Sequence, residues 1–420
     1  MYNACYPWGL GLRVLDETDA RTLHSYIIDL YKSFIPVKAI PPDMGGEGEL
    51  ERAKVLEDEL RRLGLRVWRV DARDERARGG IRPNILAQLE GADTSRTLWI
   101  VAHMDTVPEG DRSLWRYEPY SVTVEDDYVY GRGVEDNGQA IVVAFAVAKY
   151  LVERGVKPRV NLGIALVSDE ETGSRYGLQY LLSQNVFGTP ESNWFLVPDA
   201  GSPDGSKVIV AEKHILWFKI RVVGMQAHAS TPHEGINAHR LGMMFNLELD
   251  RILHTRFTRY DPIFEPPVST FEPTRKEENV SNINTIPGVD TVYWDARILP
   301  SYSIDEVVET VKSTAYSFAS SHGIKVEVEI VARDDAGEPT SPDHPFTRAF
   351  LRAIREARNV EPKLLGIGGG TIARYLRKKG YPALVWMTCE ETAHKPNERA
   401  RLSSILADVD TVLYYLLHVA

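Results

Sequence analysis

From about residue 97 onward the chain alternates short apolar runs with polar loops, and stretches of helical spacing lie before and between them. Apolar residues recur every three or four positions near 19–34 and 49–63, which predicts two opening helices. The runs at 97–102, 160–167, 194–197 and 382–387 are short and rich in Val, Ile, Leu and aromatic residues, the pattern of strands buried on both faces. Helical spacing returns at 138–152 and 346–358. Buried strands alternating with helices predict an α/β fold around a mixed, mostly parallel sheet.

Residues 214–330 follow another rhythm: strand at 216–223, helix at 238–252, strand at 291–298, helix at 304–320, strand at 325–331. Pro262, Pro266, Pro267 and Pro273 cluster in the middle, as in an irregular surface loop. This is the signature of a small α+β domain over 214–330, inserted into a discontinuous domain of 1–213 and 331–420.

The 420 residues, 43% of them hydrophobic, suffice for a large core and two or three domains. Against 59 Asp and Glu stand 49 Lys and Arg, and the net charge of −10 argues against nucleic acid as a partner. Uninterrupted apolar runs such as 141–147 fall short of the roughly 20 residues that cross a bilayer, so no membrane span is expected. Residues 1–15 lack the basic start and apolar block of a signal peptide, and the expected location is cytoplasmic. Cys5 and Cys389 are too few for a disulfide framework or a thiolate cage. Any metal must be held by His and carboxylates.

Ligand sites in open α/β sheets gather at the carboxyl ends of strands. Here the first run ends in His103-Met-Asp105, the second leads to Ser168-Asp-Glu170-Glu171-Thr-Gly, the third to Pro198-Asp199, and the fourth to Glu390-Glu-Thr-Ala-His394. Gly131-Arg-Gly-Val-Glu-Asp136-Asn-Gly opens the helix at 138. Imidazole and carboxylate suit zinc, and two ions about 3.5–4 Å apart can hold a water as a nucleophile at neutral pH. Each residue also has a plainer reading. Asp136 suits a helix N-cap, Glu170 and Glu171 a solvated turn, and His394 an exposed loop.

These stretches resemble the di-zinc amidohydrolases and exopeptidases that include succinyl-diaminopimelate desuccinylase, acetylornithine deacetylase, aminoacylase and glutamate carboxypeptidase. The resemblance rests on His103-Met-Asp105-Thr-Val-Pro, Gly131-Arg-Gly-Val-Glu-Asp136, Asp169-Glu170-Glu171-Thr-Gly-Ser174 and His394-Lys-Pro-Asn-Glu398, in the family's order. It implies two zinc ions, replaceable by cobalt or manganese, bridged by Asp136. His103 and Asp199 would complete one site, and Glu171 and His394 the other. Glu170 would be the general base, and Asp105 would bind the second nitrogen of the His103 imidazole and fix its tautomer. Two departures bear on the subfamily: Asn137-Gly-Gln139 after Asp136, and Ile372 where many relatives carry Asp.

The inserted domain resembles the family's lid and dimerisation domain, which implies a homodimer. Gly224-Met-Gln-Ala-His228 matches the motif whose histidine reaches the partner subunit's site as an oxyanion donor; the alternative is a histidine satisfied within its own loop. Asn284 and Arg297 match substrate-binding positions, and Arg297 offers a planar fork for a carboxylate; the alternative is an exposed surface ion pair. Gly369 and Gly370, in Gly368-Gly-Gly370 before a helix expected at 372–379, could present N–H groups to an anion. No Gly-Lys-Ser/Thr follows them, which excludes a phosphate loop for ATP.

The expected activity is zinc-dependent hydrolysis, by a metal-bridged water, of a small carboxylate-bearing amide such as an N-acyl amino acid, as in succinyl-diaminopimelate desuccinylase. Dipeptidase, carboxypeptidase and acetylornithine deacetylase-like activities are alternatives. So is a catalytically silent relative acting as a binding protein. A Ser or Cys nucleophile has no Gly-x-Ser-x-Gly elbow behind it.

Overall fold

The computed structural model describes residues 14–420; the reading of residues 1–13 as free of a signal peptide lies outside the described residues. The four apolar runs form neighbouring strands at the middle of an eight-stranded sheet, in the order Val160–Val167, Asp93–His103, Asn193–Val197, Ala383–Val385. All four run parallel. Every residue of Val160–Val167 and Asn193–Val197 is buried, which is why these strands read as continuous apolar runs rather than alternating ones. Ile85–Leu89 and then Arg66–Arg69 extend one side antiparallel. Lys207–Glu212, antiparallel to Ala383–Val385, and then Lys363–Ile367 extend the other. The sheet is therefore mixed with a parallel centre, as the sequence predicts.

Helix Gly138–Arg154 connects Asp93–His103 to its parallel neighbour Val160–Val167 and is buried along most of its length. It packs on the helices Glu17–Phe34 and Leu402–Tyr414. Gly138 leaves room for a close approach at its start: an added Cβ would lie 2.3 Å from the Gly133 carbonyl oxygen. The C-terminal helix bears on the expectation that no segment spans a membrane. Residues 402–419 have the length and mean hydropathy to cross a bilayer, which a search for uninterrupted apolar runs passes over because Asp408 and Asp410 break the window. Two-thirds of that window is buried, and Asp408 accepts hydrogen bonds from Thr388 and the Arg358 guanidinium, as in a helix of a folded core.

The chain forms two compact units. Among the described residues, one comprises 14–210, 340–365 and 371–420; the other comprises 211–339 with 366–370. The second carries an antiparallel sheet in the order Thr270–Lys276, Val289–Ile298, His214–Val223, Lys325–Asp334. Helices Ala238–Arg256 and Ile304–His322 pack with them, the latter opened by a capping box of Ser303 and Glu306. This unit is wider than 214–330. Lys325–Asp334 runs past 330, and the glycine segment joins because Gly366 N–H donates to Ile263 O and Arg297 donates to Gly368 O. Thr270–Lys276 is a strand inside the stretch read as an irregular loop. Pro273 is tolerated because this strand is at the sheet edge and its register shifts between Pro273 and Arg275.

Candidate metal centre

His103 is the last residue of its strand and stands opposite Val167 in the parallel ladder. Asp199 follows strand Asn193–Val197, and Glu170 and Glu171 open a 3-10 turn just past Val160–Val167. Parallel strands send their carboxyl ends to one side of the sheet, so residues far apart in the chain converge there. Asp136 and His394 come from the loops 131–137 and 388–398.

Asp136 joins two groups. Its Oδ1 lies 2.8 Å from His103 Nε2 and its Oδ2 lies 3.1 Å from His394 Nε2. Asp199 Oδ1 is 3.6 Å from His103 Nε2, and Glu171 Oε2 is 3.1 Å from His394 Nε2. Within His103, Asp136 and Asp199, and again within Asp136, Glu171 and His394, the available donor atoms all lie within 4.8 Å of one another. Imidazole nitrogens and carboxylate oxygens, three to a group with one carboxylate shared, fit divalent ions of the zinc type.

The electrostatics point the same way. Burial pulls the His103 imidazole down, but Asp105, Asp136 and Asp199 outweigh it and hold it well above its usual range. Asp136 and Glu171 raise His394 to about 10 despite partial burial. Burial pushes Asp136 up, yet the two imidazoles leave it well below the carboxylate range. A cluster whose carboxylates bind protons on imidazole this firmly favours cations generally. Glu170 belongs to neither group; burial first, then the Asp199 charge, raises its carboxyl well above the ordinary value.

The plainer readings do not describe this geometry. Asn137, not Asp136, is the N-cap residue of Gly138–Arg154, and no side chain caps that helix. The Glu171 side chain is only 6% exposed, unlike a solvated turn. His394 is exposed, yet it meets two carboxylates. Asp105 does more than face the second nitrogen of His103. Its carboxylate accepts the N–H groups of Glu170 and Glu171, both at 3.0 Å, while His103 Nδ1 is 3.0 Å from the Asp105 backbone carbonyl and 3.5 Å from the carboxylate. The first turn after Asp169 presents amide donors without helical partners, and the buried carboxylate takes them.

Asn137 was visible in the sequence only as a departure from the family pattern. Its side-chain oxygen accepts His103 N–H at 3.2 Å, and its amide donates to Pro198 O at 2.7 Å and Asp199 Oδ1 at 3.1 Å. Asp169, buried and in the left-handed region at φ 66°, ties the base turn to Tyr176 N–H at 2.9 Å and to the buried Arg82–Glu49 pair. A polar residue within an apolar helix start, and an acid beside two others, were the only available signals. Cys389 is buried and its thiol is pushed up to about 12, which disarms it as a nucleophile.

The remaining predicted site residues lie in the second unit. His228 is exposed on the short strand Ala227–His228 beside Thr285–Ile286, and its Nδ1 meets Ser230 N–H at 3.1 Å and Ser230 Oγ at 2.7 Å. Asn284 accepts Ala229 N–H through its backbone carbonyl. Arg297 forks onto Asp295 through Nε and Nη2, and Nη1 donates to Gly368 O at 3.1 Å. Gly369 and Gly370 are exposed, and the helix that follows is the six-residue Ala373–Lys378 with Ile372 at its N-cap.

The sequence profile of peptidase family M20/M25/M40 matches residues 99–418. An uncharacterized metallohydrolase of Methanocaldococcus jannaschii is 38% identical over 396 residues, covering 90% of this chain and 96% of that protein. A succinyl-diaminopimelate desuccinylase of Bordetella petrii is 25% identical over 388 residues, covering 91% of this chain and 95% of that protein. Among solved structures, aminopeptidase PepT of Bacillus cereus has a TM-score of 0.72 at 18% identity, covering 94% of this chain and 98% of that one. Human carnosine dipeptidase 1 has a TM-score of 0.69 at 18% identity, covering 96% and 98%. At these identities the two structures share the fold. With the family profile spanning most of the chain and a relative this similar along nearly all of it, the chain belongs to peptidase family M20/M25/M40 and is a metal-dependent hydrolase.

Proposed function

We propose that the chain hydrolyses the amide bond of a small N-acyl amino acid, with an N-succinyl group as the preferred acyl part, using two zinc ions. The observation that carries this reading is Asp136, whose two oxygens each face a different histidine within a three-ligand group. The desuccinylase relative supports the acyl group. When bound, the ions would supply Lewis acidity at the scissile carbonyl and lower the pKa of the attacking water.

The residues of the chain do the rest. Glu170, which no ligand group uses, takes a proton from the attacking water. It then gives that proton to the departing amine as the C–N bond breaks, so one water is consumed and a carboxylic acid and an amino acid are released. The burial of Glu170, which by itself favours the protonated carboxyl, suits it to hold the proton between the two steps. Asp105 keeps the Glu170–Glu171 turn in place by accepting hydrogen bonds from the two backbone N–H groups. Arg297, oriented by Asp295 and the Gly368 carbonyl, and Asn284 bind the substrate carboxylate, and Gly369 and Gly370 offer backbone N–H groups to it. The acting form is a homodimer in which His228 donates to the oxyanion in the partner's site.

The test is metal counting joined to a substrate panel. Metal-free protein dialysed against zinc should hold two ions per chain, and it should cleave N-succinyl amino acids faster than N-acetyl amino acids or dipeptides. Chelation should abolish turnover, and zinc should restore it. A single ion, or hydrolysis that persists in chelator, overturns the two-ion mechanism; faster cleavage of dipeptides overturns the substrate.

A further inference from the structure

Two buried carboxylates beside the metal centre belong to neither ligand group: Glu135 and Glu398, 1% and 0% exposed. Each sits in a loop that carries a ligand, Glu135 next to Asp136 and Glu398 four residues after His394. Each reaches into the other's loop. The Glu398 carboxylate accepts the backbone N–H of Gly133 at 3.0 Å, of Glu135 at 2.9 Å and of Asp136 at 3.0 Å, together with Arg132 Nη1 at 2.6 Å. The Glu135 carboxylate accepts the N–H of Glu391 at 2.7 Å and of Thr392 at 2.9 Å, and also the Thr392 hydroxyl.

This exchange has a mechanical consequence. Backbone N–H groups that donate to a carboxylate are fixed by it, so each loop is held by an acid rooted in the other. The Glu135 bonds fall on the segment just before His394, in which Glu391 and His394 both adopt left-handed backbone, with φ 58° and 63°. Non-glycine residues persist there only when their surroundings hold them. The Arg132 guanidinium, paired with Glu398, also donates to the His394 carbonyl at 3.4 Å.

We propose that Glu135 and Glu398 are positioning residues that form a reciprocal clamp, fixing the separation of Asp136 from His394 and thereby the affinity of the Asp136, Glu171 and His394 group for its ion. The inference rests on the two-ion reading above. The other group is anchored separately, because Asn137 bonds His103 N–H and Asp199. Loss of the Glu135 half therefore acts on one ion and spares the other.

The experiment titrates metal-free, full-length chain with Co²⁺ and reads both stepwise affinities from the visible absorption of the bound ion, with thermal unfolding of the metal-free protein as a control. Glu135→Gln and Glu135→Ala are expected to weaken one of the two ions by about 10–100-fold, Ala more than Gln, with the other unchanged. Turnover should recover at high metal concentration. Glu398→Gln, which disturbs the Asp136 loop itself, should weaken both. If Glu135→Ala does not fold, Thr392→Val removes a single donor to the same carboxylate and should produce a smaller loss confined to the same ion. Unchanged affinities in a folded Glu135 variant overturn the clamp. So does an equal loss at both ions, which would mark a general structural role. If the wild type binds only one ion, the two-ion reading fails and takes the clamp with it; two ions in the wild type with no selective loss in the variants defeat the clamp alone.

Discussion

Glu170 and Glu171 are adjacent in one turn, yet their surroundings assign them different work. Glu171 meets His394 and shares a group with Asp136, while Glu170 is in neither group and is held by burial and neighbouring charge as a strong proton acceptor. Replacing a residue that accepts a proton without holding an ion should slow the chemical step and leave the metal in place. Glu170→Ala is expected to lose about 10²–10⁴-fold in kcat with both ions retained. Glu171→Ala should lose an ion instead. Atomic emission on the purified variants, beside steady-state kinetics at saturating zinc, separates the two effects. A Glu170 variant with near-normal turnover, or one short of an ion, would show the roles to be misassigned. Asp105 adds a lesson at the same scale. A carboxylate two residues from a histidine can be assigned to that imidazole from sequence, but its shorter contacts, to the amides of a turn some 65 positions away, cannot.

At the scale of elements, the parallel centre depends on how closely its strands fit. Gly163 lies under Trp99 of the neighbouring strand, and an added Cβ would fall 2.4 Å from the indole ring. Trp99 has little room to move, since its Nε1 donates to Asn193 at 2.8 Å and its ring packs edge-on against Trp68 and Phe187. Gly163→Ala is therefore expected to cost about 1–3 kcal/mol, the usual penalty of overpacking, measured as a shift in the denaturant midpoint at constant slope. A neutral substitution would mean that the ring yields. The same burial explains what could be read from the chain. The four central strands are sealed on both faces and appear as unbroken apolar runs, and because the candidate site residues end or closely follow three of them, His103, Glu170, Glu171 and Asp199 could be read with them. Arg66–Arg69 and Lys363–Ile367 are short, partly exposed edge strands with charged ends, and Thr270–Lys276 contains a proline, so neither length nor period exposed them. Glu135 and Glu398 lie within the family-like motifs, but their partners lie more than 250 positions away, beyond the reach of local pattern.

On the scale of the whole molecule, the question is whether one chain suffices. Every candidate metal ligand belongs to the first unit, whereas His228, Asn284 and Arg297 belong to the second. The second unit also exposes an apolar face on helix Ala238–Arg256, where Met243 is 50%, Met244 47% and Leu247 74% accessible. Exposed apolar side chains on one helix suit an interface, and self-association through them would form a closed pair. If His228 serves the partner's site, a chain lacking His228 keeps a sound metal centre but deprives its neighbour of a donor, and a chain lacking Glu170 does the reverse. Each variant homodimer should then be nearly inactive. Unfolding, mixing and refolding equal amounts gives half heterodimers, each with one complete site of two, so about a quarter of wild-type activity should return if the sites turn over independently. Size-exclusion chromatography and a tag on one variant establish that exchange took place. Proven exchange without recovered activity would mean that His228 acts within its own chain, or that its bond to Ser230 is all it contributes.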